Sequence, residues 1–316
     1  MPAADVPLPE LERRLAPLGV RDVCPLTGGA SSLTYTATVR EQHVVVKVAP
    51  AGLPPVRNRD VLRQARLLRA LAGTAVPVPE VLWEDAGAPP EVPPLFVMSF
   101  VAGSSPEPLF DLDVVDEMPE VAARMQNAAR LLADLHALAP AQIGLGAEPV
   151  VTPGDEVERW CRLLATVDAP AWDDVADALR AAEPPALGPA VVHGDFRLGN
   201  MLATGARINA VIDWEIWTIG DPRVDVGWFL VNADPDTYRR ATRHRHALPS
   251  PQDLRARYGV VADLQWFEAL ACFKSAATWA LIVKHNRRRA TPDPDVEAMT
   301  SALPHLLDRA RERLAS

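Results

Sequence analysis

The sequence predicts an α+β chain in two parts, a strand-rich N-terminal part and a larger, mainly helical C-terminal part. Three observations carry this. Up to residue 102, short runs of β-branched and aromatic residues read strand, strand, helix, strand, strand. Beyond Gly103, apolar residues recur at helical spacing over long stretches. The 316 residues are enough for two lobes with a sizeable core. The boundary is set at Gly103, giving parts 1–102 and 103–316.

Residues 8–18 form an amphipathic helical pattern. Gly28, Gly29, Ala30, Ser31 and Ser32 lead into Leu33, Thr34 and Tyr35, a tight turn entering a strand. Residues 43–48 are a second strand, with Lys47 set between valines. Apolar residues at 61, 65, 68, 71 and 72 have a helical period, and Pro77 and Pro79 end that unit. Residues 81–83 and 95–101 are further strands, separated by the Pro-rich loop 87–94. In the second part, 120–138 and 170–182 read as helices. Residues 190–192 and 207–212 read as brief strands flanking a loop. Helical pattern returns from Asp221, over 263–285 and over 295–314. Residues 233–261 are polar and irregular, an exposed insertion or lid.

The bulk properties exclude several classes. No apolar run of about 18 residues is evident, so no membrane partner is expected. The first 14 residues hold Asp5, Glu10, Glu12, Arg13 and Arg14 and have no signal-peptide pattern. Cys24, Cys161 and Cys272 are odd in number and widely spaced, which argues against a disulfide framework or a zinc site. That usage fits a cytoplasmic protein. A net charge of −9 disfavours nucleic acid as a partner. The oligomeric state is not legible.

The chemistry lies in His193-Gly194-Asp195-Phe196-Arg197-Leu198-Gly199-Asn200, followed by Ile212-Asp213-Trp214-Glu215. An Asp is followed by an Asn five residues later and by a second Asp thirteen residues after that. Phosphoryl transfer needs such a set. One carboxylate takes the proton of an attacking hydroxyl, while an amide oxygen and a second carboxylate hold Mg²⁺ against ATP phosphates. The loop joins two apolar strands, where rigid scaffolds present reactive groups.

Together with residues 220–228, Gly-Asp-Pro-Arg-Val-Asp-Val-Gly-Trp, these motifs resemble the aminoglycoside phosphotransferase-like kinases. Within them, the resemblance is to the branch related to kinase-like domains fused to acyl-CoA dehydrogenases. It runs from about residue 26 to 289. It implies a protein-kinase-like bilobal fold, with a small antiparallel sheet plus helix before a larger helical lobe. It also implies ATP- and Mg²⁺-dependent phosphorylation of a small-molecule hydroxyl: an antibiotic such as an aminoglycoside or macrolide, an alcohol metabolite, or a hydroxyacyl-CoA.

Carried over by residue, Asp195 resembles the base, and Asn200 and Asp213 the metal ligands. Arg197 is placed to meet the transferred phosphoryl group, or else to pair at the loop surface. His193 braces the loop or fills core. Glu215 supports the metal or faces solvent. Asp221 and Asp225 resemble carboxylates that hold the loop through backbone N–H groups. Lys47 takes the position that grips the α/β-phosphates. Ser31 and Ser32 would close over the phosphates, and Ser99, Phe100 and Val101 fall on the interlobe strand that binds adenine.

One departure stands out. Gln64 occupies the place of the helix Glu that pairs with the strand lysine. A neutral amide cannot give a charge-assisted bond, which is roughly twice as strong. Asp60, one turn earlier, is either the substitute partner or an ordinary first-turn acid. The departure keeps a second function open, a nucleotide-binding pseudokinase serving as sensor or scaffold. Trp217, Trp266, Phe267, Trp279, Lys284 and His285 are candidates for the acceptor pocket. Arg287, Arg288 and Arg289 would suit an anionic acceptor or simply end a helix.

Overall fold

The computed structural model describes residues 7–26, 33–110, 118–240, 245, 248–259 and 261–315. Ser31 and Ser32 therefore lie outside the described residues.

Helix α1 (Leu8–Leu15) buries Leu11 and Leu15. It precedes the strands β1 (Val20–Pro25), β2 (Leu33–Val39) and β3 (Gln42–Val48). Helix α2 (Val61–Leu71) and strands β4 (Val81–Asp85) and β5 (Leu95–Ser99) follow. The five strands form one sheet in the order β1-β2-β3-β5-β4, antiparallel throughout. Sequence periodicity had no strand at β1, whose alternation is interrupted by two consecutive exposed polar residues, Arg21 and Asp22.

Alternation along β3 decides what the sheet presents. Val44, Val46 and Val48 point to one face and pack with Leu11, Leu15, Leu95 and Val97. Lys47 therefore points to the other face, where Phe96 meets α2. Helix α2 lays Val61, Gln64, Ala65, Leu68 and Leu71 inward, a helical stripe that includes the glutamine.

The remainder is mostly helical: α3 (Met118–His136), α4 (Pro153–Leu164) and α5 (Asp173–Ala181). Short strands β6 (Val150–Val151), β7 (Ala190–Val192), β8 (Met201–Thr204), β9 (Arg207–Val211) and β10 (Thr218–Gly220) are interspersed with them. β10 lies between β6 and β7, and β8 pairs with β9 as a hairpin. The helices α6 (Arg223–Ala233), α7 (Pro251–Tyr258), α8 (Leu264–Asn286), α9 (Pro294–Ala298) and α10 (Ala302–Leu314) complete the chain.

The sequence reading had no strand at β6, β8 or β10 and no helix at α4. Helix α4 opens on a Thr152–Asp155 capping box that periodicity alone overlooked. The stretch 233–261 is not irregular throughout: it holds α7, and Thr237 and Tyr238 are buried. Helix α8 is, among the described residues, the one helix long and apolar enough to cross a bilayer. Within the fold 78% of its apolar window is buried, against α4, α5, α6 and α10, so it is the central core helix of this part.

Candidate active site

The loop after β7 is built around one buried carboxylate. Asp225, in the first turn of α6, accepts the backbone N–H of His193 (2.6 Å) and of Gly194 (2.8 Å). Burial would push its pKa up. The hydrogen bond and charge of His136 and the backbone N–H bonds outweigh that and hold it low. His193 bridges the two motifs. Its Nε2 lies 2.9 Å from Ile212 O, and its Nδ1 accepts from Asp195 N (3.1 Å), so the network assigns the Nε2–H tautomer. Its ring also packs 4.3 Å from that of Trp214. Gly194 has φ +85°, and a Cβ there would come 2.9 Å from Ile216, so only glycine turns the chain here without strain. Asp221 acts one step away, accepting Leu187 N and clasping Arg223.

This frame presents Asp195 with its side chain 24% exposed. Oδ1 accepts from Trp228 Nε1 (2.8 Å), and Oδ2 from Asn200 Nδ2 (2.8 Å). Asn200 Nδ2 also bonds Asp195 O (2.8 Å). Both amide hydrogens are thus spent on Asp195, which leaves Oδ1 as the amide atom able to ligate a cation. Asp213 follows β9 with φ +64°, a rare conformation for a non-glycine residue and one that clusters at functional sites. Among the described residues no cluster of three His, Cys, Asp or Glu could hold a metal by itself. An amide oxygen and a 44%-exposed carboxylate instead suit Mg²⁺, which keeps waters and substrate phosphates as ligands.

Arg197 packs its Nε against both Asp195 oxygens (3.2 and 3.3 Å) and its Nη1 against Glu107. Burial disfavours the guanidinium, yet Asp195 and Glu107 together hold its pKa above the ordinary value. Glu107, buried between two prolines, carried no sequence signal.

Across from this loop, Lys47 Nζ reaches Glu215 Oε1 (3.1 Å), Asp213 Oδ1 (3.4 Å) and Gln64 Oε1 (3.4 Å). The charge missing at Gln64 therefore comes from Glu215. Asp60 is not the substitute: its carboxylate caps α2, accepting Arg63 N at 2.9 Å. Arg63 in turn lies over the Trp217 ring (3.7 Å) and bonds Trp217 O and Glu148, which docks α2 on the helical part. At the interlobe strand, Ser99 N donates to Glu80 O (2.8 Å) and Phe100 N to His43 O (3.3 Å). Phe100 is 48% exposed, and Val101 is half-buried beside it.

The acceptor candidates disperse. Trp217 is buried beneath Arg63. Trp266 donates to Leu179 O inside the core, against Phe267. Lys284 bonds Thr166 O, and His285 is exposed. Arg287 pairs with Glu297, so the arginine run ends a helix there. Trp279 alone joins a group near Glu107, its ring tilted against Phe110 (5.2 Å) and edge-on to Tyr238 (6.4 Å). Sequence reasoning missed Lys274, whose Nζ bonds Gly194 O behind the loop. A lysine amid Cys272, Phe273, Ala276 and Ala277 is the same signal that marked Lys47.

A model described as the phosphotransferase enzyme family matches residues 22–259. Chicken acyl-CoA dehydrogenase family member 11 is 30% identical over 224 residues, covering 67% of this chain and 28% of that protein. The match spans between 20% and 37% of the length of curated relatives such as this one. A Ralstonia eutropha protein provisionally named an aminoglycoside phosphotransferase shares the fold with a TM-score of 0.76 at 22% identity, over 96% of this chain and 97% of that one. A thermostable form of aminoglycoside phosphotransferase APH(4)-Ia, solved with ADP and hygromycin B, does so at 0.64 and 19%, over 94% and 97%.

Proposed function

The chain belongs to the phosphotransferase enzyme family, and from that premise we propose that it moves the γ-phosphoryl group of ATP to a hydroxyl of a small molecule. The observation that carries this is Asp195. It is a partly exposed carboxylate, held by Trp228 and Asn200, and His193 and Asn200 tie its loop to Ile212, next to the Asp213 and Glu215 that pair with Lys47.

In this reading the parts divide at Gly103, with 1–102 gripping nucleotide and 103–316 supplying chemistry and acceptor. Asp195 accepts the acceptor's hydroxyl proton as that oxygen attacks phosphorus. The hydrogen bonds from Trp228, Asn200 and Arg197 hold the rotamer, so little reorganisation remains at the moment of transfer. Lys47 meets the α/β-phosphates, and Glu215 and Gln64 aim it. Ser31 and Ser32 are assigned to the phosphate turn, and residues 99–101 to adenine. Arg197, tied to Asp195 and Glu107, balances charge beside the base. Asn200 Oδ1 and Asp213 would hold Mg²⁺, which when bound neutralises phosphate charge.

Among acceptors we favour a hydroxyacyl-CoA over an aminoglycoside, a macrolide or another alcohol metabolite. A relative at 30% identity is an acyl-CoA dehydrogenase family member, and its match to this chain leaves most of its length for other parts. Glu215 beside Lys47 supports turnover over nucleotide binding alone, because it restores the charge that Gln64 lacks. The test is a mass-resolved screen with Mg²⁺, ATP and these four acceptor classes. One phosphoryl group added by the wild type and not by Asp195→Asn is expected. Product formed equally by Asp195→Asn would remove Asp195 from the mechanism.

A further inference from the structure

Lys274 is 5% exposed near the middle of α8. Among the described residues no carboxylate pairs with it directly. Its Nζ donates to Gly194 O. The ammonium also lies 3.7 Å from the Trp228 ring centroid and 5.5 Å from that of Trp160. Both indoles are committed to carboxylates: Trp228 Nε1 to Asp195 (2.8 Å), Trp160 Nε1 to Glu156 (3.1 Å).

Packing does not account for a lysine here. Methionine fills a similar irregular space without the cost of burying an ammonium. Two things methionine cannot do are donate to the Gly194 carbonyl and bring a cation against an indole face. Gly194 is the positive-φ turn before Asp195, and its N–H is already held by Asp225. The Lys274 bond holds the same residue's C=O. The residue preceding Asp195 is thus fixed at both its polar atoms, and the indole that orients Asp195 rests on the ammonium.

We propose that Lys274 is a positioning residue for Asp195, pinning the Gly194–Asp195 peptide from behind and seating Trp228 against the carboxylate. This rests on Asp195 being the base. The charges around Lys274 come from the loop (Asp195), from α4 (Glu156 and Arg159) and from α6 (Asp225). Charges on α10 are taken elsewhere: Arg309 pairs with Asp234, and Arg313 with Glu268. Burial pushes the lysine down to about 8, and Asp195, Glu156 and Asp225 limit the fall.

The experiment compares Lys274→Met, Trp228→Phe, their double variant and Asp195→Asn. ATP turnover with water as acceptor is measured, together with hydrogen exchange of the 193–196 amides. Lys274→Met should lower kcat about 100-fold while KM for ATP stays within three-fold, an effect on the transition state alone. The double variant should lose less than the product of the single losses, since both residues act through Asp195. Exchange at 193–196 should rise locally, while α10 stays protected. If Lys274→Met does not fold, Lys274→Gln, which keeps a donor without the charge, is read by the same kcat and KM split. A kcat within three-fold of wild type, additive losses, or exchange raised everywhere alike would overturn the positioning role. Turnover retained by Asp195→Asn would instead sink the assignment of the base, whatever Lys274 does.

Discussion

Moving the glutamate at residue 215 back to helix α2 tests how Lys47 is held. The perturbation is the set Glu215→Gln, Gln64→Glu and the double exchange. Lys47 and Glu215 side chains are 12% and 14% exposed and 3.1 Å apart. At an effective dielectric of about 20, their bare attraction is about 5 kcal/mol. Desolvation cancels most of this, and Asp213 at 3.4 Å remains as a more exposed partner of lesser weight. What Glu215→Gln removes is the difference between a charge-assisted and a neutral hydrogen bond, about 1.5 kcal/mol. That corresponds to a roughly tenfold fall in kcat/KM for ATP. Gln64→Glu alone adds a second carboxylate beside an already paired lysine and should gain nothing. In the Glu215→Gln background it should restore kcat/KM to within about threefold, a coupling of about 1 kcal/mol in the double-mutant cycle. The assay is steady-state turnover over a range of ATP concentrations, with nucleotide affinity measured by calorimetry. If Gln64→Glu gave no recovery, Glu215 would be acting on something other than Lys47, and the relocation argument would be refuted.

Three further outcomes follow from the same geometry. Lys274 has a folded pKa near 8, below its unfolded value of about 10.4. The folded state therefore sheds its proton first, and stability rises between those values by about 3 kcal/mol. Urea unfolding at pH 7.5 and pH 10 should show the wild type gaining on Lys274→Met, and an unchanged gap would refute it. Asp225, held below its ordinary value, contributes stability that is present above about pH 4 and lost as pH falls through the folded pKa. Asp225→Asn should therefore destabilise by about 2–4 kcal/mol at pH 7, with the gap closing on acidification in chemical denaturation. A Cβ on Gly227 would sit 2.5 Å from Phe267 O, a backbone atom that cannot swing aside. Gly227→Ala should cost about 2 kcal/mol by separating α6 from α8, read as a lower Tm.

The sequence by itself determined the strands that carry Lys47, the helix that carries Gln64 and the motif loop with Asp195, Asn200 and Asp213. Each rests on a local pattern. The valine run marked the strand around Lys47, apolar residues at 61, 65, 68 and 71 marked the helix, and the spacing of Asp195, Asn200 and Asp213 marked the loop. Resemblance to the kinase family also exposed one departure, Gln64 where that family has a glutamate. The repair lay beyond the sequence. Glu215 is 151 positions from Gln64, and only the docking of the sheet on the helical part brings it to Lys47. Asp60 looked like the nearer answer because helical spacing counts neighbours on one element, whereas the N-cap geometry spends that carboxylate on Arg63 N. Glu107 and Trp228 were likewise invisible, since their partners Arg197 and Asp195 are 90 and 33 positions away. Burial, not spacing, separates the core tryptophans 217 and 266 from Trp279. Patterns within one element follow from local backbone geometry, while the pairing of charges across elements is decided by packing.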